Sequence, residues 1–181
     1  MTGQPLLQNL AQAAHALGRA DGADARWAEV SRLAEAVFSH RLLTGLVYLR
    51  EQRLMRRIFT SDESISPLGG FKATGRGPWS VQVLEQGLPY VGSDEADIRT
   101  VFSEADLLIE RGLHAVLNIP IWFDAGVIGS INLLGHRHAY DQVSEPLIDL
   151  MAGLCTPVFI REREAAQDAA LSLDRSGLDS V

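Results

Sequence analysis

Residues 114–134 read His-Ala-Val-Leu-Asn-Ile-Pro-Ile-Trp-Phe-Asp-Ala-Gly-Val-Ile-Gly-Ser-Ile-Asn-Leu-Leu. Two apolar runs flank Phe123-Asp124-Ala125-Gly126. The pattern predicts a long β-hairpin, with Gly126 supplying a backbone angle that other residues disfavour. Val, Ile and Leu dominate both runs, which suits the interior of a sheet. Successive side chains of a strand point to opposite faces. His114, Val116, Asn118 and Trp122 therefore share one face, and Ala115, Leu117, Ile119 and Ile121 the other. On the second run Ser130 and Asn132 share a face, opposite Gly129, Ile131 and Leu133. Asn118 and Asn132 are buried amides by this pattern, and a buried amide needs backbone, water or a ligand as partner. The polar set is expected to face a pocket, and the apolar set to pack on helices.

Working outward, the segment before the hairpin is irregular. Residues 61–78 are rich in Gly, Pro and Ser, which forbids a long regular element. A loop of this length inside a domain is often functional. Pro78 opens a short helix, Trp79 to Gln86, and Gly87 ends it. Leu88 to Gly92 reads as a short strand that Pro89 confines to an edge. Ser93 and Ser103 are expected to cap two short helices, about 94–101 and 104–111. Further upstream, Leu42–Arg50 and Leu54–Thr60 predict an antiparallel hairpin. Helical periods occupy 5–18, a stretch from Asp24 that carries Trp27, Val30, Leu33 and Val37, and a long final stretch from about Ser144. Pro157 is expected to kink that last helix, and the tail from Ser172 to be frayed.

The chain has 181 residues, 46% of them hydrophobic and 22% charged, with a formal net charge of −7. That is enough apolar material for one domain with terminal extensions. The acidic balance argues against nucleic acid and against an anionic membrane surface as partners. No apolar run approaches the roughly 20 residues that span a bilayer. A single cysteine, Cys155, precludes an intrachain disulfide. With no basic stretch leading into an apolar core at the N-terminus, a cytoplasmic protein is expected.

Helices at both ends around an antiparallel sheet give an α+β domain. This order resembles the GAF domain, a relative of PAS domains, over about residues 24–165. Residues 1–23 would then be an N-terminal helical extension, and 166–181 the C-terminal helix end and polar tail. Gly87-Leu88-Pro89-Tyr90-Val91 and the stretch from Leu113 to Leu134 carry the resemblance best. Pro67 to Lys72, Trp79, Asp97-Ile98 and Gly112 to Pro120 also look like a group of stand-alone bacterial GAF proteins. The resemblance implies five or six strands in the order 2-1-5-4-3. It also implies terminal helices on one face and a small-molecule pocket on the other, under residues 61–112. Dimerisation through the terminal helices is common in such domains.

Lys72, Trp79, Tyr90, Asp97 and Phe102 from the covering segment are the pocket candidates, with His114, Asn118, Trp122 and Asn132 from the hairpin. Aromatic rings stack on planar ligands, and a lysine pairs with a carboxylate or phosphate. Markers of specialised members are missing. The reductases that resemble this fold use loop cysteines, whereas Cys155 falls on the last helix. Neither the Asn-Lys-x-Phe-Asp-Glu signature of cyclic-nucleotide binders nor a bilin-attaching cysteine is found. No catalytic motif stands out. His136-x-His138 has no nearby cysteine to complete a zinc set. The expectation is a non-enzymatic, dimeric small-molecule sensor with no cofactor and no metal. The alternatives are an enzyme using the same pocket and a pure protein-interaction module.

Overall fold

A computed structural model of the chain describes residues 3–171; the expectation for the tail from Ser172 lies outside them. Two helices lead in, α1 (Gly3–Arg19) and α2 (Ala23–Val37). Strands β1 (Leu42–Leu49) and β2 (Leu54–Thr60) form the first hairpin. The covering segment holds β3 (Phe71–Ala73), a π-helical turn (Ser80–Glu85), β4 (Tyr90–Gly92), α3 (Glu95–Val101) and α4 (Ala105–Glu110). Strands β5 (Ala115–Phe123) and β6 (Gly126–Gly135) form the central hairpin, and α5 (Glu145–Ala170) closes the fold, running on through Pro157.

The six strands form one antiparallel sheet in the order β3-β2-β1-β6-β5-β4. The expected five-strand order is present, and β3 adds a sixth strand on the β2 edge. β3 lies within the stretch read as irregular. It is three residues long, too short for any periodicity to declare it. β4 is the other edge, as Pro89 requires. Pro120 is accommodated in β5 because β4 pairs only with Val116 to Asn118, so the outer side of β5 is open at Pro120.

Two expectations are corrected at turns. Gly126 does not carry the unusual backbone angle. Asp124 (φ +49°) and Ala125 (φ +58°) do, because a two-residue loop matched to strand twist needs positive φ at both central positions. Helix α3 is capped by Asp94, not Ser93; its carboxylate accepts from the Ala96 and Asp97 amides. Helix α4 begins after Glu104 with no side-chain cap, so Ser103 does not serve as one.

The helices α2 and α5 cover one face of the sheet. Trp27 of α2 lies parallel to Phe59 at 4.6 Å and edge-on to Phe159 at 5.6 Å, and its indole N–H donates to Glu162. Gly45 makes room for this ring, since a Cβ there would meet the Trp27 ring at 2.3 Å. Ala115, Leu117, Ile119, Ile121, Ile131 and Leu133 are fully buried on this face. Ile58 and Ile128 are each an extra residue in the ladder. These bulges keep Arg57 and Val127 on the opposite face, where the covering segment packs.

Candidate functional site

The face opposite α2 and α5 carries a polar row. Thr44 of β1 pairs with Asn132 of β6, which pairs with Asn118 of β5. All three are buried. The Asn118 amide donates to Asn132 Oδ1 at 2.6 Å, Ser130 Oγ donates to the same oxygen at 3.0 Å, and Asn132 Nδ2 donates to Thr44 Oγ1 at 3.1 Å. Asn118 Oδ1 accepts from the Trp79 indole at 3.0 Å. One bond thus joins the two asparagines, and the Trp79 bond fastens the cover to the floor. Each amide nitrogen keeps a second hydrogen for which no described residue is the acceptor.

Above this floor is a cavity of about 80 Å³. Its walls are apolar, with Leu42, Leu46, Leu134 and Met55 from the sheet and Leu108 and Phe102 from the cover. Its polar rim is Arg57, Lys72, Glu104, Ser66 and Ser103, with Gly69 and Gly70. The π-helical turn that follows Trp79 is anchored by buried Val83 and Leu84, packed with Tyr48 and Val127.

Of the nine residues singled out in the sequence, Lys72, Trp79, Phe102, Asn118 and Asn132 line this cavity. The other four lie outside its lining. Tyr90 pairs with Asn118 across β4 and β5, and burial, with Asp97 nearby, raises its phenol pKa. Asp97 is held by the Ser93 amide at 2.7 Å. His114 faces Glu95, with Nδ1 2.8 Å from the carboxylate and out of line for a hydrogen bond. Trp122 is 44% exposed, and its indole donates to the Gly87 carbonyl at 3.2 Å. Sequence reasoning missed Arg57, Glu104 and Thr44. For Arg57 the signal was its phase with Met55 on β2, hidden by the bulge at Ile58.

Two other groups have the right residue types for catalysis and the wrong arrangement. Ser93 Oγ and His138 Nδ1 both bond to Asp141, at 2.6 and 2.9 Å. The carboxylate sits in the middle, whereas activating a serine needs the imidazole there. Cys155 is buried among the helices behind the sheet, and desolvation pushes its thiol up to about 12. Among the described residues no three His, Cys, Asp or Glu side chains are grouped to hold a metal ion.

No protein-family model matches the sequence, and neither does any curated protein. Solved structures do match. The GAF domain of a phosphoenolpyruvate-protein phosphotransferase from Coxiella burnetii is similar with a TM-score of 0.69, over 94% of this chain and 99% of that one, at 17% identity. The chain has the GAF fold. The chromophore-binding domain of a bacteriophytochrome from R. palustris is also similar, at a TM-score of 0.63 and 12% identity. That match covers 93% of this chain, which spans only 63% of the length of that domain. A free methionine-R-sulfoxide reductase from Neisseria meningitidis, solved with its substrate, matches at 0.58 over 91% of each chain, at 16% identity. At these identities the likeness to GAF-fold proteins is one of architecture.

Proposed function

We propose that this GAF-fold chain is a sensory or regulatory domain that binds a small molecule between the sheet and its cover, without catalysing a reaction on it. The observation that carries this reading is the cavity itself, with apolar walls over a floor of hydrogen-bonded amides. That is the usual composition of a ligand site, mostly apolar with a few fixed polar groups. At about 80 Å³ it is smaller than the roughly 300–1,000 Å³ of drug-sized pockets. A compact ligand suits it as it stands. The bacteriophytochrome domain is described as binding a chromophore, and that kinship in fold supports a sensory role. Against an enzyme that works through a cysteine thiol stands Cys155, the sole cysteine, buried on the far side of the sheet.

Thermal-shift screening of a metabolite library tests the reading. A specific ligand at 100 times its Kd adds about 2.7 kcal/mol of stability and raises Tm by several degrees. Asn118→Leu is expected to abolish that rise. If no compound stabilises the folded protein, the sensing reading fails.

The same proposal includes a cytoplasmic homodimer formed through the terminal helices. No helix among the described residues is long and apolar enough to cross a membrane. Leu7 on α1 and Leu150 on α5 are large apolar side chains left exposed. Sedimentation of Leu7→Glu/Leu150→Glu is expected to give monomer mass where the parent gives dimer. An unchanged mass refutes this route of assembly.

A further inference from the structure

The cavity's charge comes from β2, from β3 and from Glu104, just before α4. Arg57 stands on the cover-facing side of β2. Lys72 of β3 pairs with Met55, two residues from Arg57. The two cations thus hold diagonal positions on one face, a spacing of roughly 7–8 Å between backbones. Both line the cavity. One terminal nitrogen of Arg57 donates to the Pro67 carbonyl at 2.8 Å. Its Nε is buried and has no partner. No carboxylate among the described residues forms an ion pair with Arg57. Glu104 acts on its charge from a distance, opposing the lowering of its pKa that burial causes. Withdrawing a cation from water without a paired anion costs free energy. A chain of net charge −7 nevertheless keeps two cations at this rim.

We infer that the cavity takes a compact organic monocarboxylate. Its head lies against the Arg57 guanidinium with Lys72 at the mouth, and its short apolar chain lies among Leu42, Leu46, Leu108 and Leu134. This inference rests on the cavity being a ligand site. Pro67 engages one terminal nitrogen of Arg57, which leaves its other terminal N–H donors, with the Lys72 ammonium, for the two oxygens of a carboxylate. The spare amide hydrogens of Asn118 and Asn132 provide further donors on the floor. A doubly charged phosphate is disfavoured by Glu104 on the same rim. The free volume of about 80 Å³ accommodates a short chain and not a nucleoside.

The test uses the full chain and straight-chain carboxylic acids from acetate to hexanoate, the matching neutral amides, leucine, and inorganic phosphate. Binding is read from the Trp79 indole N–H resonance, assigned by Trp79→Phe, and from Tm. A carboxylate is expected to move that resonance and raise Tm, and its amide to do neither. Arg57→Gln is expected to weaken binding by about tenfold or more with its spectrum otherwise intact, and Arg57→Lys to lose less. A plain carboxylate and an α-amino acid share this head group. Glu104→Gln strengthens the first and weakens the second, which distinguishes them. Equal binding of acid and amide, binding of phosphate alone, or unchanged affinity in Arg57→Gln overturns the carboxylate assignment. If neutral molecules move Trp79 in Arg57→Gln as in the parent, the ligand site stands and only its chemistry changes. If nothing in this set or in the metabolite library moves Trp79, both readings fall.

Discussion

The two faces of the central hairpin are built on different principles. Toward α2 and α5, β5 and β6 present Ala, Leu, Ile, Gly and, at the end of β5, Phe123, and the contacts are rings and methyl groups at close-packed distances. A Cβ at Gly129 would stand 2.6 Å from the Phe159 ring, so that glycine is the space the ring occupies. Toward the cover, alternate positions of the same strands hold Asn118, Ser130 and Asn132, joined side chain to side chain. The first face derives its stability from density, which is insensitive to direction. The second uses directional bonds that fix the cover's position and leave donors over. A single pair of strands thus carries a close-packed face and a hydrogen-bonded one.

Substitutions that break this contrast differ in size. The largest effect is expected on the helix face. Ile119→Ala leaves a cavity in a fully buried layer and is expected to cost about 2–5 kcal/mol in urea or thermal denaturation. A loss under 1 kcal/mol would mean that this face is not close-packed. Next is Asn132→Leu, which strands Asn118, Ser130 and Thr44 and is expected to cost about 1–3 kcal/mol. Adding Asn118→Leu should cost less than the sum of the two single changes, because the second removes a group the first left unsatisfied. Strict additivity in that double-mutant cycle would refute the network. The smallest is Trp79→Phe, which removes one indole bond and keeps the ring. It is expected to cost about 0.5–1.5 kcal/mol by the same denaturation. A loss as large as that of Ile119→Ala would show the cover to be part of the core.

Much of this division was legible in the alternation of residues 114–134. Odd positions of β5 are uniformly apolar, so their burial against helices followed from period alone, and Asn118 and Asn132 had to meet something. What they met was not legible, since cross-strand register decides it. The bulge at Ile128 sets which residue faces Trp122, and no local signal announces it. Arg57 was lost for the same reason, because the bulge at Ile58 breaks the alternation of β2. Lys72, Trp79 and Phe102 were found by residue type. Tyr90, Asp97 and His114 have equally suggestive types, yet none of them lines the cavity; Asp97 holds the Ser93 amide and His114 faces Glu95. Residue chemistry nominates a site, and only long-range placement decides membership. Ala125 was misread in favour of Gly126 because a glycine beside a turn draws attention, while the turn's own geometry puts the cost on its two central residues.

The two indoles that bracket the π-helical turn have a kinetic consequence. Trp79 ties its start to Asn118, and Trp122 ties the Gly87 carbonyl just past its end to the hairpin tip. Gly87, at φ +65°, has no room for a side chain beneath the Trp122 ring. Between these points Val83 and Leu84 are fully buried. Gly69 and Gly70 on the opposite rim are exposed, and a side chain at either would touch nothing within 4 Å. If the cavity takes a ligand as proposed, entry on the glycine side is expected, at the nanoseconds to microseconds of loop motion rather than at the rate of releasing the turn. Amide hydrogen exchange is the corresponding clock, fast at 69–70 and slow at 83–84.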